Sequence, residues 1–180
     1  LAHYVPPERV QFEFPNLDLA AKNTRIDWDP ASLLTPHNCS WEYVAAIPLM
    51  AGPLCWLEPS SLPADAKTAI RKVLDLHKSI FPDLAKGCTL PVGQTPDGHS
   101  WTGFHCVDPD SPESGLLAIY REDADLDHTV LAIPNLPDGD LHFTCLSHPD
   151  SLLPERAQEG LRFHIDDRNA FRLYRYRALS

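Results

Sequence analysis

Apolar positions recur along the chain with three different rhythms. In "RVQFEF", Val10, Phe12 and Phe14 alternate with Arg9, Gln11 and Glu13, the period-2 mark of a strand. From Pro15 to Asn38 the pattern predicts mostly loop, with a helical turn in "LDLAAKN". Val44 to Leu57 then runs without a single charge. That run is shorter than the ~20 residues a membrane-spanning helix needs, and Pro48, Gly52 and Pro53 break it. Its apolar residues must be buried in protein. The break near Gly52 predicts a helix over about Ser40 to Met50, then a short buried strand in "PLCWLE". Ser40 can cap the helix, and Glu42 stands in the first turn, where the helix dipole favours an acid.

The helical rhythm is plainest in "SLPADAKTAIRKVLDLHKSIF". Pro63 falls in its first turn, and Ala66, Ala69, Ile70, Val73, Leu74, His77 and Phe81 keep the three- and four-residue spacing of one buried face. After Gly87 the period returns to two. "GCTLPVG", "SWTGFHCV", "GLLAIYRE", "HTVLAIPNL", "LHFTCLSH", "GLRFHID" and "AFRLYRYRAL" read as short strands separated by Pro, Gly and Asp, the pattern of an antiparallel sandwich or barrel.

The order is therefore strand, helix, strand, helix, then a run of strands, which predicts an α+β chain. Residues 1–87 have the length of the last βα units of a (β/α)8 barrel, whose strands are apolar because both faces are covered. Residues 88–180 are expected to form an antiparallel β-sandwich domain.

Composition narrows the classes. Hydrophobic residues make up 43% and charged residues 22% of the 180 residues, so neither a disordered nor a membrane chain is indicated. The net charge of −10 would repel nucleic acid, and Arg172, Arg175 and Arg177 read as a solvated strand face. The five cysteines are odd in number and show no C-x-x-C spacing, which predicts reduced thiols and a cytoplasmic setting. "LAHYVPPERV" has no Met, basic n-region or apolar h-region, so no signal peptide is visible; the expectation is the C-terminal piece of a longer chain.

Metal and nucleophile patterns dissolve on inspection. His142, Cys145 and His148 are spaced by three, which on a strand points neighbours to opposite faces, and a fourth zinc ligand is missing; two exposed histidines and a core cysteine are expected. Asp123, Asp125 and Asp127 occupy the first oxygen positions of a calcium loop, but His128 replaces its turn glycine and Pro134 its closing Glu, leaving an acidic hairpin tip. His105 and Cys106 are adjacent and so face apart, and no strand-to-helix elbow marks a thiol nucleophile. No metal or other cofactor is expected. Glu13 and Asn16 follow the first predicted barrel strand, where such barrels carry active-site groups, and the same reasoning selects Glu58 and His37, Asn38 and Trp41.

"PLMAGPLCWLE", a helix ending in "LDLHKSI", "LPVG" and "GLLAIYRE" resemble in order the C-terminal third of melibiase-type α-galactosidases, glycoside hydrolase family 36. "HTVLAIPNLPDGDLHFTCL", "EGLRFHI" and "AFRLYRYRAL" continue the likeness. The resemblance implies a catalytic (β/α)8 barrel followed by a β-domain, a carbohydrate substrate, and retaining hydrolysis of an α-glycosidic bond by two carboxylates. In the family both are aspartates on earlier barrel strands, so no catalytic residue is assigned here; Glu13, Asn16, His37, Asn38, Trp41 and Glu58 become candidate substrate contacts. Typical members close the last barrel strand with a glycine, a tyrosine and an acidic pair, where this chain has Cys55, Trp56, Leu57 and Glu58, which broadens the expected activity from α-galactosidase to α-glycosidase. The alternatives are a non-catalytic carbohydrate-binding sandwich using exposed aromatics such as Trp101, Tyr174 or Tyr176, and a structural module without a sugar ligand.

Overall fold

The structure, a computed structural model, describes residues 9–13, 17, 39–54 and 58–179. The first strand, β1 (Gln11–Glu13), pairs in parallel with β2 (Gly52–Leu54), with Gln11 opposite Gly52 and Glu13 opposite Leu54. The Gly52 N–H donates to Val10 O at 2.8 Å, fixing the register. The parallel pairing demands a crossover, and helix α1 (Trp41–Ala46) lies on that connection. Ser40 caps α1 as expected, its Oγ accepting from the Tyr43 N–H at 3.1 Å. The helix is shorter than predicted: Pro48 has no N–H to continue the ladder, and residues 47–50 turn back through bonds from Leu49 N to Ala46 O and Ala51 N to Pro48 O. Within the uncharged run, Val44, Ala45, Ala46, Leu49, Met50 and Ala51 are buried. The predicted loop over 15–38 lies outside the described residues except for Leu17, which is buried.

Helix α2 (Ala64–Lys86) runs on past Phe81, through Pro82. A proline in a helix removes one backbone donor, and here the turn beyond it buries Leu84 and closes with Gly87 N donating to Asp83 O at 2.9 Å. Ala66, Ile70 and Val73 are buried as the spacing predicts, but Ile80 and Leu84 complete the stripe. Phe81 does not belong to it and is 57% exposed. The buried positions follow a 4, 3 alternation through half-buried His77, which rotates Phe81 off the packed face.

Beyond Gly87 the chain is antiparallel. The main sheet has the order β3-β4-β5-β10-β7, formed by Cys88–Gly93, Trp101–Val107, Ser114–Arg121, Ala170–Ala178 and Leu141–Cys145. A second sheet, β6-β9-β8, is built from His128–Leu131, Gly160–His164 and Glu155–Ala157. Each strand segment read from the sequence is present. Strand β8 is additional, because "ERA" carries no apolar alternation to reveal it. Strand β6 stops at Leu131, before Pro134 and the left-handed Asn135 at φ 57°.

Strand parity makes three layers of these elements. From the main sheet, Leu116, Ala118, Tyr120, Phe171 and Leu173 join the core of the helical layer. The alternate residues Leu117, Ile119, Tyr174 and Tyr176 pack with Leu161 and Phe163 of the second sheet. The main sheet is thus covered on both faces, and each fully buried leucine or isoleucine in it contributes roughly 1.5–3 kcal/mol of transfer free energy. The three arginines of β10 do not share one face: Arg175 and Arg177 are exposed on the helical side, while Arg172 has the opposite parity and is half-buried.

Two buried ionic groups tie the end of β5. Arg121, 4% exposed, donates from Nε and Nη2 to Ala124 O and from Nη1 to Ile165 O and Asp166 O. Glu122 Oε2 accepts the backbone N–H groups of Asp97, Gly98 and Ser100. Charge-assisted bonds of this kind offset the cost of removing both groups from water.

Candidate functional site

Glu13 and Leu54 end the two parallel strands opposite one another. Glu13 is exposed. Glu58 follows β2 and opens a 3-10 turn over Pro59–Ser61. Its carboxylate accepts from Ser60 Oγ at 2.6 Å, while its carbonyl accepts from Ser61 Oγ at 2.9 Å. The Ser60 bonds hold the carboxyl below its ordinary pKa, so Glu58 is an oriented, exposed anion beyond the C-terminal end of a parallel strand. Asn16, His37 and Asn38 lie outside the described residues.

Trp41 begins α1, half-buried, with its ring packed against the helical-layer core. Next to it, Glu42 Oε1 accepts from Lys72 Nζ of α2 at 2.8 Å and lies 3.4 Å from Nε2 of His148, in the loop after β7. Three separate elements therefore meet at Glu42. His148 corrects the expectation of an exposed side chain: it is half-buried and meets Phe171 edge-on, with ring centroids 5.8 Å apart. Its Nδ1 is buried without a partner among the described residues. Burial foremost, and then the charge of Arg172, pull its pKa below the ordinary histidine value, against the opposing charge of Glu42. A neutral imidazole, a carboxylate and an ammonium can together donate to and accept from hydroxyl groups.

No local pattern marks Lys72 or His148 as members of this cluster, because contacts between distant elements leave none. A weak signal existed for Glu42, whose position in the first turn of α1 was legible.

The other constellations have structural explanations. Arg168 spans the acidic tip, with Nη1 2.7 Å from Asp123 Oδ1 and Nη2 3.0 Å from Asp125 Oδ1, so a guanidinium stands where a calcium loop would hold its ion. Cys145 is buried and His142 exposed, as parity requires. Among the described residues, no group of three His, Cys, Asp or Glu side chains is arranged to hold a metal ion. His105 turns towards Tyr176 and Cys106 towards the helical layer, on opposite faces of β4. Trp101, Tyr174 and Tyr176 are not exposed sugar platforms: at 7%, 0% and 1% exposure they are enclosed between the two sheets. No described helix is long and apolar enough to cross a membrane.

No protein-family profile matches the chain, and no curated protein matches it. Among solved structures, it is similar to the glycoside hydrolase family 36 α-galactosidase AgaA from Geobacillus stearothermophilus, at 15% identity and a TM-score of 0.47 over 77% of this chain. A variant of that enzyme in complex with raffinose gives 14% identity and the same TM-score. The chain spans 19% of the length of that protein.

Proposed function

We propose that this chain is the C-terminal portion of a retaining α-glycosidase, α-galactosidase-like in kind, whose two catalytic carboxylates lie upstream of residue 1. Residues 1–87 are read as the end of the catalytic barrel and residues 88–180 as the β-sandwich domain that braces it. The observation that carries the reading is the parallel β1–β2 pair, with Glu13 ending the first strand and Glu58 following the second, at the end that holds the active site in such barrels. The sequence resemblance to family 36 supports it.

In this reading Glu13, Asn16, His37, Asn38, Trp41 and Glu58 line one side of a sugar pocket. Trp41 offers an indole face to a pyranose ring, and the anionic Glu58 accepts bonds from sugar hydroxyls. Without the two carboxylates that flank the anomeric carbon, these residues can bind and orient a glycoside but cannot cleave it. In the same reading the protein acts in the cytoplasm on a carbohydrate substrate.

The test compares the 180-residue chain with the longer protein, using aryl α-glycosides. The chain alone is expected to show no turnover, and the longer protein to hydrolyse them with retention of anomeric configuration. Measurable turnover by the isolated chain would refute the upstream placement of the carboxylates.

A further inference from the structure

Where α2 ends against the main sheet, a groove of about 240 Å³ opens on the helical side. Neither Trp41 nor the strand-end acids line it. Its floor is apolar, formed by Cys106 and Leu116. Its walls carry Asp83 and Lys86 from the last turn of α2, Asp108 just after β4, and Arg175 from β10. The hydroxyl-bearing Ser111, on the β4–β5 connection, and Ser114, the first residue of β5, complete the rim.

The charges are balanced and partly fixed in place. Arg175 Nη2 lies 2.6 Å from Asp83 Oδ2, which orients both groups across the groove. One oxygen of Asp108 accepts the Asp110 N–H at 3.0 Å, holding that carboxylate at the rim. A small anion would be attracted by Lys86 and Arg175 but opposed by two carboxylates; a small cation meets the reverse. Neither gains a net field. A neutral molecule with several hydroxyls suffers no such penalty, since each hydroxyl can donate to a carboxylate and accept from an ammonium or guanidinium. Its C–H face suits the apolar floor. The volume is below the roughly 300–1,000 Å³ of sites for drug-sized ligands, which leaves room for about one sugar ring.

We infer that this groove is a non-catalytic binding site for a single neutral polyhydroxylated ring, of the monosaccharide class. The inference rests on the balance of charge, the apolar floor and the volume; it does not depend on the glycosidase reading or on the upstream carboxylates.

The experiment is a titration of the 180-residue chain with methyl hexopyranosides, followed by amide chemical shifts. Sodium phosphate and putrescine serve as anionic and cationic competitors. Saturable shifts at Ser111, Ser114 and Gly115, with a dissociation constant in the millimolar range, are expected for a hexoside, and none for the two ions. The variants S111A/S114A and K86M, all at exposed or rim positions, should each weaken binding roughly tenfold, the first by losing two neutral hydrogen bonds and the second by losing one bond to a charged group, while the rest of the spectrum stays unchanged. No hexoside binding, saturation of these amides by phosphate or putrescine instead, or hexoside binding indifferent to the variants would each overturn the inference. None of these outcomes bears on hydrolysis by the longer protein, so the two readings fail separately.

Discussion

Tyr120 Oη donates to the carbonyl oxygen of Ala46 at 2.7 Å, joining the middle strand of the main sheet to the end of helix α1. Both groups are buried, and burial drives the phenol pKa well above its usual value, so the proton stays in the bond. Tyr120→Phe keeps the ring stacked on Phe171 and removes only the hydroxyl. The expected cost is about 1 kcal/mol, a fall in Tm of roughly 2–4 °C by differential scanning calorimetry. An unchanged Tm would mean that this bond does not hold the layers together.

Stability is expected to fall in mild acid through His105. Its Nδ1 lies 2.7 Å from Pro134 O, which can only accept, so Nδ1 carries the proton and Nε2, 2.8 Å from Tyr176 Oη, accepts from the phenol. Burial pushes the Tyr176 phenol up to about 12 and holds His105 below its ordinary value, although the Pro134 bond works the other way. The folded-state pKa is therefore the lower one, and below about pH 6.5 the unfolded chain binds more protons. This contribution is fully present above that pH and is lost as pH falls through the folded value. Urea midpoints at pH 8 and pH 5 measure it: the drop at pH 5 should be smaller in His105→Gln than in the parent chain.

Arg121→Lys should be far more damaging than its conserved charge suggests. The guanidinium serves carbonyl oxygens of Ala124, Ile165 and Asp166 at once, and an ammonium on a flexible stem cannot reproduce that fork. A loss of about 2–4 kcal/mol in chemical denaturation is expected. A loss below about 0.5 kcal/mol, the size of an ordinary surface change, would show the fork to be dispensable.

At Gly103, in β4, space is the constraint. A Cβ there would lie 2.4 Å from Ala118 O of the neighbouring strand β5. Gly103→Ala must push the two strands apart, at a cost of about 1–3 kcal/mol. Hydrogen exchange of the β4 and β5 amides would locate the disturbance, and protection equal to that of the parent would contradict it.

For the proposed sugar pocket, Glu58→Gln and Trp41→Ala are informative in the longer protein. Glu58 is exposed, so its replacement should leave Tm unchanged and raise KM for an aryl α-glycoside roughly tenfold with little change in kcat. Trp41→Ala also removes packing against the helical core, so its KM must be judged beside its Tm. An unaltered KM in both variants would remove these residues from the pocket.

Much of this architecture was legible because strand and helix periods are local. Leu161, Phe163 and Ile165 alternate in "LRFHID", and all three are buried. What the periods could not convey is which face meets which layer. Trp101, Tyr174 and Tyr176 were readable as an exposed platform only because the second sheet that covers them is assembled from distant segments. Phe81 failed for a subtler reason: it matches the spacing of the stripe, but the stripe continues through Ile80 and Leu84, one position around the helix. Of the candidate pocket, the strand-end acids were foreseeable from topology, whereas the meeting of Glu42, Lys72 and His148 depends on packing between elements separated by dozens of residues.

Strand β10 pairs with β5 on one side and β7 on the other, yet it follows both in the chain. During synthesis the hairpins β3–β4 and β4–β5 can zip as they emerge, but β7 has no neighbour in its sheet until Ala170–Ala178 leaves the ribosome. Until then the nascent chain must hold two unpaired strand margins and the apolar faces of β5 apart, a stretch of vulnerability to self-association. Insertion of the last strand closes the sheet and completes both cores in one event, so any ribosome stall or cleavage before Ala170 should yield an aggregate and not a smaller folded protein.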